Sequence, residues 1–231
     1  MFSLSSDRDQ IFFTEFGMIA GRNLNLLRNS FLTTTKHIWN TPTTNAPVNN
    51  ASRQLWGYVA IAFNRVDADR QRLVGPDRLC AEWVIKNGGG ICTVDAPNRL
   101  INSYNILPPE DHRFKVKVVD GSGASLMKIG LEHFKGCNHI DTVIFHKCKH
   151  LESDGLNGLV HLKDTLKSLQ ISECNNISDD GFDVIGEMKK LLELRIFNMS
   201  YVKNLDAIVQ NLKKALPNCH IETTEKQNDE K

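Results

Sequence analysis

Excess charge of either sign is missing from this sequence. Its 28 Lys and Arg face 27 Asp and Glu, for a net charge of +1 over 231 residues. A chain that grips nucleic acid needs a basic excess or stripe, so no nucleic-acid partner is expected. Long apolar runs are missing too. None approaches the roughly 18 residues that a membrane-crossing helix requires. Aromatics make up only 7%, so a core has to be built from aliphatic layers. The six cysteines, Cys80, Cys92, Cys137, Cys148, Cys174 and Cys219, never fall into a CxxC spacing, which removes zinc-ribbon and thioredoxin-type readings. The start, MFSLSSDRDQ, is polar and acidic and does not read as a secretory signal, so reduced thiols are expected. No acid–base pair accompanies a candidate nucleophile, and the reading is that of a non-enzyme.

A local absence is equally informative. From Phe16 to Val66 there is no acidic residue, while Arg22, Arg28, Lys36, Arg53 and Arg65 punctuate a Ser-, Thr- and Asn-rich stretch. That is the composition of a mitochondrial transit peptide. On a helical wheel Ala20, Leu24, Leu27 and Phe31 share a face opposite Arg22, Asn25, Asn29 and Lys36. Read from Met18, the segment also loses the acidic head formed by Asp7, Asp9 and Glu15. The competing reading is a plain disordered tail, because NTPTTNAPVNNAS at 40–52 is linker-like.

Order is expected from Leu55. LWGYVAIAFNRVDADRQRL places Leu55, Val59, Ala62, Phe63 and Val66 at helical spacing. Gly75-Pro76-Asp77 opens the next helix, which carries Leu79, Cys80, Trp83 and Val84 and stops at Gly88-Gly89-Gly90. Those glycines follow a helix and lack the context of a phosphate loop.

Farther on, the chain repeats itself. IDTVIFHKCKHLESDGLNGL (140–159) and LKSLQISECNNISDDGFDVI (166–185) share the pattern L-x-x-L-x-L-x-x-C-x-x-L/I-x-x-D-G-L/F. The pairs Cys148 and Cys174, Asp154 and Asp180, and Gly155 and Gly181 are each 26 residues apart. LLELRIFNMSYV (191–202) keeps the apolar ladder, FKVKVVDGSG (114–123) begins an irregular first unit with Val116 and Val118 as its inward pair, and ALPNCHIE (215–222) ends the array. This period predicts an α/β fold, a solenoid of cysteine-type leucine-rich repeats with parallel strands and back-side helices. Cys148 and Cys174 are then core residues, and the two Asp-Gly pairs mark helix entries with Asp as cap. The divisions expected are a transit peptide and linker at 1–54, a helical cap at 55–110, repeats at 111–222 and a disordered tail at 223–231.

Alternation along the strands puts Lys115, Lys117 and Val119, then Thr142, Ile144 and His146, on the face away from the core. Ser168, Gln170 and Ser172 follow, then Glu193, Arg195 and Phe197. This mixed surface suits protein contact, with His146, Arg195 and Phe197 as candidate contacts. Trp56, Tyr58, Arg65 and Arg70 supply the residue types that dominate binding hot spots. Trp56, Tyr58 and Arg70 are taken as candidate contacts, with burial in the cap as the competing reading for Trp56; Trp83 and Val84 are expected to form that cap. The alternation of His146, Cys148 and His150 invites zinc, but the repeat turns Cys148 inward and leaves the set short of four ligands.

The block LWGYVAIAFNRVDADRQRLVGPDRLCAEWVIKNGG, followed by SYNILP and the repeats, resembles the mitochondrial ATP synthase coupling factor B (subunit s) family over about residues 55–222. A related branch contains assembly factors for the distal membrane arm of respiratory complex I. The resemblance implies a non-catalytic protein on the matrix side of the inner mitochondrial membrane, peripheral to it, that regulates or couples proton flow to ATP synthesis. Its partners would be ATP synthase membrane-sector subunits, or complex I assembly intermediates in the related branch. It also implies a structural magnesium site in two loops, at positions matched here by Gly88 and Ser122. The family's C-K-C run is His146-Lys147-Cys148 in this chain, which leaves one thiol where the family has two.

A reading from another class, a leucine-rich substrate receptor of an E3 ubiquitin ligase, would use the same repeats. It requires an F-box, which residues 51–100 do not show. Residues 1–54 fused to a reporter are expected to carry it into mitochondria. A reporter that remains cytosolic from either start codon would exclude the targeting role.

Overall fold

The computed structural model describes residues 50–223, with side chains from Gly57 onward. The segment read as a transit peptide lies outside the described residues up to position 49, and the C-terminal tail lies outside them from position 224. Three helices come first among the described residues: α1 (Asn50–Asn64), α2 (Ala68–Val74) and α3 (Pro76–Lys86). The helix expected from Leu55 thus starts earlier, and it does not run on to Leu73. Asp67 breaks it by capping α2, its carboxylate accepting the Asp69 and Arg70 N–H groups at 3.0 and 2.9 Å. Pro76 opens α3 at the first helical position, where its missing N–H costs nothing.

Among the described residues six strands follow in chain order across one sheet: β1 (Gly90–Thr93), β2 (Val116–Asp120), β3 (Thr142–His146), β4 (Ser168–Ser172), β5 (Glu193–Phe197) and β6 (His220–Thr223). β1 is antiparallel to β2, and every later pair is parallel. Thr142, Ser168, Glu193 and His220 lie side by side, in steps of 26, 25 and 27 residues. Val143 and Phe145, Leu169 and Ile171, and Leu194 and Ile196 are fully buried. Each such side chain stabilises the fold by about 1.5–3 kcal/mol relative to exposure.

These residues pack beneath 3-10 segments at Lys128–Phe134, Ser153–Leu162 and Asp179–Glu187, and beneath a fourth helix, α4 (Leu205–Ala215). The sequence reading expected helices in all these connections. The tighter coil, rising about 2 Å per residue, returns the chain along the strand direction in fewer residues. Only the longest step, before β6, accommodates an α-helix. Its apolar stripe, Leu205, Ile208 and Leu212, was legible at helical spacing but not read.

Two register details depart from expectation. In β2, Val116 and Val119 are buried while Val118 is half-exposed, so Val118 takes the outer place assigned to Val119. A shift in the β1–β2 pairing between Cys92 and Thr93 accompanies the change of face. The Asp-Gly pairs, in turn, work through their glycines. A Cβ on Gly155 would lie 2.9 Å from Leu151, and one on Gly181 would lie 3.1 Å from the Ser153 backbone of the preceding turn. The aspartates do not cap these segments. Asp154 pairs with Lys128 at 2.5 Å, and Asp180 accepts the Ser178 hydroxyl at 2.6 Å.

After β3, β4 and β5 the chain takes left-handed conformations at Lys147, Glu173 and Asn198 (φ 55°, 52° and 51°). That turn carries the next residue inward, and Cys148, Cys174 and Met199 are buried. The Cys148 thiol donates to the Gly121 carbonyl at 3.1 Å. Hydrogen bonding with the Cys174 thiol, then burial, pushes its pKa well up. All six cysteines are free thiols.

The helices are joined to the sheet through Trp83, which is 2% exposed. Its ring stacks on His133 at 4.9 Å and meets Phe134 edge-on at 5.6 Å. His133 is 3% exposed, with Nδ1 2.8 Å from the Gly130 carbonyl. Burial lowers its pKa to about 4, so the ring is neutral at pH 7 and Nδ1–H donates. Below pH 6.5 the unfolded chain gains this proton while the folded chain resists it down to about pH 4. Stability therefore falls through that window, by about 2–3 kcal/mol from this residue. Denaturation of wild type and His133→Phe at pH 7 and pH 4.5 checks it; equal pH dependence in the two proteins would exclude the assignment.

Candidate partner-binding site

The outer face of the sheet is a set of rows. Val118, Thr142, Ser168, Glu193 and His220 form one; Asp120, Ile144, Gln170, Arg195 and Glu222 form the next; His146, Ser172 and Phe197 form a third. Parallel pairing in register places like positions of successive units beside one another. Of the sequence-predicted contacts, the sheet brings His146, Arg195 and Phe197 onto this face.

Its polar groups are largely satisfied among themselves. Arg195 donates to Glu193 at 2.6 Å and to Glu222 at 3.2 Å. The Ser168 hydroxyl donates to Glu193 at 3.0 Å. His146 Nδ1 lies 2.9 Å from the Ser172 hydroxyl, and its Nε2 lies 3.9 Å from Glu173. Glu222, Glu173 and Asp120 belong to this face or its rim but were not read from the sequence. Their places at matching offsets within the repeat were the available signal. Half-exposed Ile144 and Phe197 supply apolar area between the polar pairs. Self-paired side chains are held in few conformations, which lowers the entropy cost of any contact made on such a face.

The N-terminal candidates separate. The Trp56 side chain lies outside the described residues. Tyr58 is 72% exposed on α1, and a groove of about 490 Å³ is lined by Ile61, Arg65, Val66, Gln71, Ile129, Glu132 and Lys135. Arg70 is a structural clamp. It bonds both oxygens of the buried Glu82, at 3.0 and 2.6 Å, and reaches Glu110 at 2.7 Å. Arg78 adds a third bond to Glu82 at 3.0 Å and also holds the Pro108 carbonyl.

Gly88 and Ser122 lie in loops at the same end of the β1–β2 pair. Gly90 is opposite Asp120, and Ser125 N–H donates to the Asn87 carbonyl at 2.9 Å. Gly88 and Ser122 are both exposed, and the Asp120 carboxylate accepts Ser122 N–H at 2.9 Å. Backbone carbonyls, one hydroxyl and one carboxylate are hard oxygen donors, which fit a hydrated magnesium ion. Among the described residues no group of three or more His, Cys, Asp and Glu could hold a metal. For His146, Cys148 and His150 the reason is visible: Cys148 is buried beneath the sheet, while His150 is exposed.

Arg70→Ala is expected to cost about 2 kcal/mol in stability by stripping a partner from a buried carboxylate. Tyr58→Ala is expected to shift it by less than about 0.5 kcal/mol. Thermal unfolding of the two variants checks the pair, and a silent Arg70 substitution would exclude its role as a clamp.

No family model matches the chain. Among curated proteins it is similar to "ATP synthase subunit s, mitochondrial" of Homo sapiens, with 33% identity over 175 residues, 74% of this chain and 86% of the relative. The Bos taurus protein of the same name is 32% identical over 180 residues, covering 76% and 89%. That of Mus musculus is 31% identical over 174 residues, covering 74% and 86%. This similarity covers about three quarters of the chain, and on its strength the chain belongs to the mitochondrial ATP synthase subunit s (coupling factor B) family.

Proposed function

We propose that the chain is a non-catalytic binding factor that associates with mitochondrial ATP synthase and regulates or couples proton flow to ATP synthesis. The observation that carries this is kinship with subunit s proteins over 74–76% of the chain. The outer sheet face supports it, because a preorganised surface of paired charges and apolar side chains suits docking onto a protein. In this reading the architecture is a leucine-rich repeat solenoid capped by α1–α3, and the outer face is its concave side. The partners are ATP synthase membrane-sector subunits, and the location is the matrix side of the inner membrane. Exposed Tyr58 on α1 forms a second contact. The Gly88 carbonyl and the Ser122 hydroxyl would hold a structural magnesium, which would brace the junction between α3 and β2.

Cross-linking in isolated mitochondria with identification of neighbours tests the association. ATP synthase subunits are the expected neighbours. Complex I membrane-arm intermediates would point to the assembly-factor branch, and ubiquitin-ligase subunits to a substrate receptor. Phe197→Ala is expected to weaken recovery of ATP synthase by roughly tenfold, the cost of truncating an interface anchor. Unchanged recovery would remove the sheet face from the interface.

A further inference from the structure

Parallel strands all start at one edge of the sheet, so the turns that lead into them are stacked there. Lys163 and Lys167 belong to the turn before β4, Lys190 to the turn before β5, and Lys213 and Lys214 to the end of α4 that leads into β6. All five are exposed. Backbone bonds hold these turns together: Leu192 N–H donates to the Lys167 carbonyl at 2.8 Å, and His220 N–H donates to the Leu192 carbonyl at 2.7 Å.

Four lysines earlier in the chain are paired differently. Lys115, Lys117, Lys128 and Lys147 each meet a carboxylate, of Asp77, Asp141, Asp154 and Glu173 respectively. None of the five edge lysines forms an ion pair among the described residues. The exposed carboxylates of the same turns are Asp164 and Glu187. The edge thus carries a local positive excess in a chain whose net charge is only +1. Leu192, in the middle of it, is 55% exposed.

We propose that this edge docks on an anionic phospholipid surface. The occupant follows from the charge and its form. Ammonium groups on flexible stems, spread along stacked turns, match a plane of mobile phosphates better than they match one fixed acidic peptide. Each lysine near an anionic bilayer contributes about 1 kcal/mol. Leu192 adds an apolar side chain at the depth of the headgroups. Docking here leaves the outer sheet face free for a protein partner. The proposal deepens the membrane-peripheral placement in the proposed function and is independent of ATP synthase association.

Sedimentation with vesicles tests it on the folded chain. The protein is expected to bind vesicles of phosphatidylcholine and phosphatidylglycerol in equal parts, to ignore phosphatidylcholine alone, and to lose binding as salt is raised. Lys190→Gln, Lys213→Gln and Lys214→Gln together should weaken binding by roughly 100-fold, at about fivefold per charge, with the thermal midpoint unchanged. Lys128→Gln and Lys147→Gln, which remove paired lysines, should leave it within about twofold. Equal binding to both vesicle types, full binding by the triple variant, or capture of a poly-glutamate peptide in place of vesicles would overturn the proposal. ATP synthase recovery by the same triple variant separates this outcome from a failure of the functional reading.

Discussion

One buried amide, that of Asn64, ties the helical part to the sheet. Its Nδ2 donates to the Ala60 carbonyl, to Asn87 Oδ1 and to the Ser125 carbonyl, all at 3.0 Å. Its Oδ1 accepts Trp83 Nε1–H at 3.1 Å and Met127 N–H at 2.9 Å. The residue is fully buried. An apolar replacement would leave an indole N–H and a backbone N–H without acceptors in a dry interior, each at about 1–3 kcal/mol. The end of α1, the middle of α3 and the turn into the first 3-10 segment all converge on it. Gly130 is required for the same reason: a Cβ there would lie 2.5 Å from Asn64 Oδ1 and 2.6 Å from Trp83 Nε1. The first apolar layer of the sheet is thereby covered by an indole held in one orientation.

From that fixed end the ladder propagates by register. Each strand is pinned by its neighbour's backbone, and each left-handed residue after a strand sends the next side chain inward. A non-glycine residue in that conformation costs about 1 kcal/mol. The cost is offset by burying Cys148, Cys174 and Met199. Asp179 shows how a later turn is tied to an earlier one. Its carboxylate accepts the Lys203 N–H at 2.7 Å and the Asn204 N–H at 3.2 Å, just ahead of α4. The repeat pattern marks Asp180 and not Asp179, so no local signal in the sequence points to this bond.

Charge is partitioned as consistently as the core. Carboxylates and bases pair on the sheet face and in the Arg70–Glu82–Arg78 cluster, while Lys163, Lys167, Lys190, Lys213 and Lys214 at the strand-entry edge form no ion pair among the described residues. Pairing fixes side chains and prepares a surface for a shaped partner. Unpaired lysines keep their mobility and suit a diffuse one. The proposed placement, between a membrane and a membrane complex, has use for both.

The sequence by itself determined the spacing of the strands, which apolar residues of β3, β4 and β5 point inward, the helix start at Pro76 and the burial of Cys148 and Cys174. Each follows from a local periodicity or from a residue whose backbone preference is strong. The kinship with subunit s was legible in the Trp56–Trp83 block for the same reason, as contiguous text. Tertiary structure alone decided that β1 joins the sheet antiparallel, and that Val118 and Val119 exchange faces. It also decided that Arg70 clamps a buried carboxylate, that Asn64 links three segments, and that lysines from three turns share one edge. These depend on residues far apart in the chain, such as Asn64 and Met127 or Arg70 and Glu110. Their proximity is set by packing the whole ladder, and no local pattern encodes it.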